Sequence, residues 1–175
     1  ILTIMALMTG GWGTIEASYI TPMMLSGLIG IFIGDTALFA CLNRMGPRQA
    51  GLLFSCHAVF SAILGFFIFS ETMSLLELLG SLLVFSGVIT AIFFGRKKLN
   101  QNTLDHIKGK ASIGIALGLL AALCQALGGI IAKPIMITSV DPIAASAIRM
   151  ITAFLAHSLF LLSGAKIAKA LNPMT

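Results

Sequence analysis

Charge is scarce in this chain. Of its 175 residues only 10% are charged, and just six are acidic. About a quarter of the residues are charged in a soluble domain. With 58% apolar residues and a mean hydropathy of +1.03, this excludes an ordinary water-soluble globule. Disorder is excluded too, because disordered chains are polar or highly charged. Cysteines are few: Cys41, Cys56 and Cys124 sit in separate apolar runs, with no CxxC and no Cys/His pattern at zinc spacing. Cys56 and His57 are neighbours, but on a helix neighbours point about 100° apart. The three thiols read as small packing residues, so no metal and no cofactor is expected. The chain also lacks GxxxxGK[ST], HExxH and GxSxG, which leaves ATP-driven pumping, metalloproteolysis and serine hydrolysis without their chemistry. No enzyme is expected. Nor is a nucleic-acid partner, since no basic domain with interleaved aromatics exists to dock one.

What the chain has is long apolar runs. Five are long enough to cross a bilayer: Met23–Leu42, Gln49–Phe69, Leu75–Gly95, Ala111–Ile131 and Ile143–Ser163. Each is about 20 residues, which at 1.5 Å per residue spans the hydrocarbon core. None alternates as a barrel strand does, so all are read as helices. Ile1 to Thr9 is apolar but too short to span. It lacks the basic start and cleavage site of a signal peptide and reads as the tail of a further helix. The expected fold is therefore all-α: a polytopic transmembrane helix bundle of about five full spans plus one partial, with the lipid bilayer as its partner and an oligomeric state the residues leave open. The chain reads as an internal piece of a longer protein.

The connections are short, so successive helices should be antiparallel neighbours. Asn43–Arg48 is a Gly-Pro turn, with Pro47 suited to the first turn of the next helix. Ser70–Ser74 is a polar hairpin in which Glu71 reads as a cap. Lys133-Pro134 and Asp141-Pro142 bracket another connection, with Asp141 as an N-cap. Arg96–Lys110 is the one long polar loop. Trp12, Glu16 and Tyr19 read as a loop before the first span, the two aromatics as interfacial anchors. Small residues recur at helix-contact spacing: Gly30 and Gly34, Gly114 and Gly118, Gly87 with Ala91 and Gly95, Ser61 with Gly65. If the helices alternate, nine Lys and Arg residues fall on one side, against Lys133 alone on the other. That bias places the first set in the cytoplasm.

Intramembrane polar residues are the candidates for chemistry, because each costs several kcal/mol unless it faces a cavity, a partner or water. Asp35, mid-span in FIGDTALF, suits a proton-coupling or ammonium-binding role, or a bond to another helix. Arg149, two turns inside its span, could clamp a carboxylate or reach the interface by its long stem; it could also pair with Asp35. Gln125, mid-span, can bond a ligand or a neighbouring helix. His57, mid-membrane, could relay protons. His157 lies toward the end of its span and is the weaker histidine. Glu77, in the first turn of its helix, suits the helix dipole.

The order of these features, from Ala40 to Phe93, resembles an EamA-type domain of the drug/metabolite transporter superfamily. A Gly-rich helix is followed by the basic turn of NRMGPR, a second helix, the acidic hairpin SETMS, and a helix carrying Gly80 and Gly87. GIALGLLAALCQALGGIIAKP and DPIAASAIRM are similar to the restart of such a domain, with Pro142 and Arg149 in matching places. Relatives often carry a proline near the position of His57, and its absence here singles out that residue. The resemblance implies a ten-helix protein of two inverted five-helix repeats. Residues 1–95 would end the first repeat (partial helix two, helices three to five). Residues 96–110 would be a basic inter-repeat loop, and 111–175 would begin the second repeat with helices six and seven. It also implies a secondary transporter in a bacterial cytoplasmic membrane, moving a small metabolite, amino acid or drug-like solute, with Asp35, Arg149, Gln125 and His57 as substrate or proton site. Family members with both termini inside would put the Asn43–Arg48 turn outside, whereas the Lys/Arg count puts it inside. The alternative function is a non-transport bundle acting as an assembly or interaction subunit.

Overall fold

The structure, a computed structural model, describes residues 2–70, 74–95 and 111–171, and their side chains except at 91–95, 111 and 165–171. Glu71 and the Arg96–Lys110 loop lie outside the described residues, as do the side chains of Lys166 and Lys169. All regular structure among the described residues is helical: α1 (Leu2–Met8), a 3₁₀ turn (Gly11–Thr14), α2 (Ala17–Ser26), a π-helical turn (Gly27–Ile33), α3 (Gly34–Met45), α4 (Pro47–Phe54), α5 (His57–Phe69), α6 (Leu75–Gly95), α7 (Ala111–Met136) and α8 (Pro142–Leu171). Four continuous stretches are long and apolar enough to cross a membrane: Ala17–Met45, Pro47–Phe69, Ser112–Met136 and Pro142–Gly164. Helix α6 is 21 residues long and carries a shorter apolar stretch, Leu75–Thr90. The bundle of the expectation is therefore present, and α1 supplies the partial helix.

The boundaries follow from local chemistry. Helix α3 stops because Gly46 adopts φ +81°, a conformation glycine takes without strain, and Pro47 then opens α4 at its first position. Helix α6 opens with a reciprocal cap. The Ser74 amide donates to Glu77 Oε2 at 2.8 Å, and the Glu77 amide donates to Ser74 Oγ at 3.3 Å. Asp141 caps α8: its Oδ1 accepts the Ile143 amide at 2.7 Å. The α4–α5 span tightens at Ser55–Cys56, where the Cys56 and Ala58 amides donate to carbonyls three residues back.

Two connections differ from expectation. Lys133-Pro134 does not end a helix, because α7 runs on to Met136. A proline this near a helix end removes a single ladder bond and leaves little helix beyond it to disrupt. The stretch with Trp12, Glu16 and Tyr19 is not a loop throughout. Trp12 sits in the 3₁₀ turn, Glu16 precedes α2 at its N-cap and Tyr19 is inside α2. Both aromatic rings pack against a buried cluster that includes Met23, Ile135, Val140 and Ile148. They are packing groups at one end of the bundle.

The stretch from Ala17 to Ile33 is sandwiched between α7 and α8, and α3 continues along α7. Small residues make this possible. An added methyl on Gly128 would stand 2.6 Å from the Gly30 Cα, and one on Gly27 would stand 2.5 Å from the Arg149 carbonyl oxygen. Backbones therefore touch directly on both sides. The seam is fastened by Ser26, wholly buried, whose hydroxyl donates to the Gly128 carbonyl at 2.6 Å. Helix α7 also packs against α3, α4 and α5, whereas α6 packs chiefly on α4 and α5, with Val88 in a buried cluster that includes Ala122 of α7.

Candidate functional site

Beside this seam lies a cavity of about 470 Å³. Asp35 enters it from the first turn of α3, Gln125 from the middle of α7, and Ser146 and Arg149 from α8, one helical turn apart. Ile31, Phe54, Leu2 and Met150 make the apolar remainder. The size suits a small organic solute, and a mostly apolar wall with a few convergent polar groups is the usual form of a ligand pocket. A second cavity, of about 420 Å³, is lined by Trp12, Met24, Ile148 and other chiefly apolar side chains. It offers a polar solute little to orient it.

Three of the four residues expected to form a site are thus brought together: Asp35, Gln125 and Arg149. They come from elements far apart in sequence, and the packing of those elements brings them around one cavity. Arg149 turns inward. Its Nη2 approaches Gly30, where an added methyl would lie 3.8 Å away, in ordinary van der Waals contact. Its Nε is buried with no hydrogen-bond partner among the described residues. Arg149 forms no ion pair with Asp35, and no hydrogen bond from a described residue reaches the Asp35 carboxylate. Both groups line the cavity.

His57 is placed differently. Its Nδ1 donates to the Phe54 carbonyl at 2.9 Å, and its ring stacks on that of Phe54 with centroids 5.2 Å apart. Phe54 lines the cavity and His57 stands behind it. Two groups went unread in the sequence. Ser146 has a signal in hindsight, lying three residues before Arg149 on the same helical face. Ser26 has little signal, because a serine among glycines looks like one more small residue.

The model of the EamA-like transporter family matches residues 1–93. The chain belongs to this family. No curated protein and no solved structure matches it. As an EamA-like chain with four helices long and apolar enough to span, it is an integral, multi-pass membrane protein. The family is one of transporters, and the cavity described above takes its meaning in that setting.

Proposed function

We propose that this EamA-like chain is part of a secondary transporter in a bacterial cytoplasmic membrane. It moves a small metabolite, amino acid or drug-like solute and couples that movement to protons through Asp35. The observation that carries the reading is the pairing of an unbonded Asp35 with an Arg149 whose Nε is buried and unpartnered, in a solute-sized cavity within a helix bundle. A packed structural bundle gains nothing from leaving such groups unsatisfied. In this scheme Arg149 holds an anionic group of the solute, Asp35 exchanges a proton or takes an ammonium group, and Gln125 completes the polar contacts. The first 95 residues close one five-helix repeat, 111–175 open an inverted second one, and alternating access comes from rocking one repeat against the other.

The test uses the full-length protein in proteoliposomes. Uptake of a panel of amino acids and small metabolites is measured with and without an imposed proton gradient. Gradient-driven accumulation that disappears in Asp35→Asn supports the proposal. Downhill flux that survives the substitution keeps the transporter and removes Asp35 from coupling. No flux of any solute favours the assembly-subunit alternative.

A further inference from the structure

Helix α1 lies along the opening turns of α8, and the two run antiparallel. At one end Thr9, just past α1, bonds Asp141, just before α8. At the other end Leu2 lines the same cavity as Ser146, Arg149 and Met150. Leu2 precedes Thr9, and Arg149 follows Asp141, by about two turns of helix, roughly 10–12 Å. Helix α1 therefore reaches from the end of the bundle down to the cavity wall. Its hold on α8 is slight, because Ala6 is its one buried side chain among the described residues.

Asp141 fastens this arm from three directions. Its Oδ2 accepts the Thr9 hydroxyl at 3.2 Å, its amide donates to Thr14 Oγ1 at 2.9 Å, and its Oδ1 caps α8 through the Ile143 amide. Thr14 donates in turn to the Gly11 carbonyl at 2.7 Å, which ties the junction to the 3₁₀ turn. A methyl on Gly11 would strike the Asp141 carboxylate, so bare backbone is what fits there. The tie to α1 itself is easily exchanged. A hydroxyl has one hydrogen to give, and the Met5 and Ala6 carbonyls stand 3.1 and 3.4 Å from Thr9 Oγ1. When Thr9 lets go of Asp141, its hydrogen has another acceptor and no donor on α1 is stranded. The next residue, Gly10, holds φ +71°, with no atom within 4 Å of a Cβ built there. A glycine in open space is where the chain turns at least cost.

We propose that the Asp141 junction is the latch of a gate. Engaged, it holds α1 against α8, with Leu2 forming part of the cavity wall. Released, α1 swings about Gly10, Leu2 withdraws, and water or solute reaches Ser146 and Arg149 from this end of the bundle. Asp141 remains the cap of α8 in both states, so the helix carrying Arg149 keeps its start. The latch joins Thr9 and Thr14 to Asp141, from the first and second of the repeats proposed above, which rocking must part. Its place in transport rests on that reading; the exposure of the cavity does not.

The test measures access in the full-length protein in lipid nanodiscs, with no solute added. Ser146→Cys is the reporter, and its labelling by a small charged thiol reagent is followed by mass spectrometry. The three native cysteines are buried, and their background is measured without the reporter. Thr9→Val with Thr14→Val removes both threonine bonds to Asp141 and leaves the Ile143 cap in place. Loss of these bonds should speed labelling at position 146 about fivefold or more. If that pair fails to fold, Thr9→Val alone still frees α1, and a rise of about threefold is expected. A change below about twofold overturns the latch. So does a matching rise at Ser26→Cys, a wholly buried position in the seam, because the whole bundle would then have loosened. Latch-dependent labelling in a protein that moves no solute would instead overturn the transport reading and leave the gate standing.

Discussion

Helices α6 and α7 look alike as strings of letters and behave differently in the fold. Both are apolar and more than twenty residues long. Helix α7 buries Ala121, Ala122, Cys124, Ala126 and Ala132 and meets neighbours on several sides. Helix α6 leaves Leu75, Leu76, Leu79, Leu82 and Leu83 each more than half exposed, and among its described side chains only Val88 is buried. Inside a bilayer, lipid tails are as apolar as leucine, so hydrophobicity does not decide which helices touch. Small side chains do, because they let backbones approach. The helix with less apolar bulk on its packed face is the one that organises the bundle and carries a wall of the cavity.

That contrast can be broken most severely at Gly128. Both nearest atoms to an added side chain there are backbone, 2.6 Å away at the Gly30 Cα and 3.0 Å at the Ser26 carbonyl oxygen. Gly128→Leu should therefore part the seam and cost about 3 kcal/mol or more, read as loss of monodisperse protein in detergent. Gly118→Ala should be milder. The new methyl is small, but it meets Leu53 Cδ1 at 2.8 Å, which can rotate away, and Leu53 Cβ at 2.7 Å, which moves only with its backbone, so about 1–3 kcal/mol is expected in denaturant titration. Ser26→Ala removes the hydroxyl bond to Gly128 but adds no bulk, and thermal unfolding should report a loss of about 1 kcal/mol or less. Gly87→Leu sharpens the comparison from the other side. Nothing lies within 4 Å of a Cβ built there, so stability should stay within about 0.5 kcal/mol of the parent.

Much of the site was legible because charge inside a bilayer is costly. Asp35, Gln125 and Arg149 stood out for that reason alone, and they converge on one cavity. The reach of Arg149 was not legible. Its long stem could equally have carried it to the interface, and only the structure shows it lining the cavity. His57 and His157 were ranked by depth in a span, and the structure places His57 beside Phe54 and outside the cavity lining. Depth says nothing about which face a ring presents, and His157 owes its place to Phe32 on another helix. The helices themselves were readable from run length. The ends were less so: Pro134 looked like a stop, but α7 outlasts it by two residues, and Tyr19 proved to be helical.

The π-helical turn at Gly27–Ile33 sits between the fastening at Ser26 and the carboxylate at Asp35. A π turn holds one residue more than a regular helix requires. This makes the stretch sensitive to length in a way that composition does not reveal. Deleting a single residue there would shorten the span by only about 1.5 Å while swinging Asp35 through about 100° relative to Ser26. The same deletion in α6 would shift side chains that are mostly exposed. Among homologous chains, a one-residue gap at this place would mark a carboxylate turned toward a different wall, and aligning across it on hydropathy alone would pair residues that do not correspond.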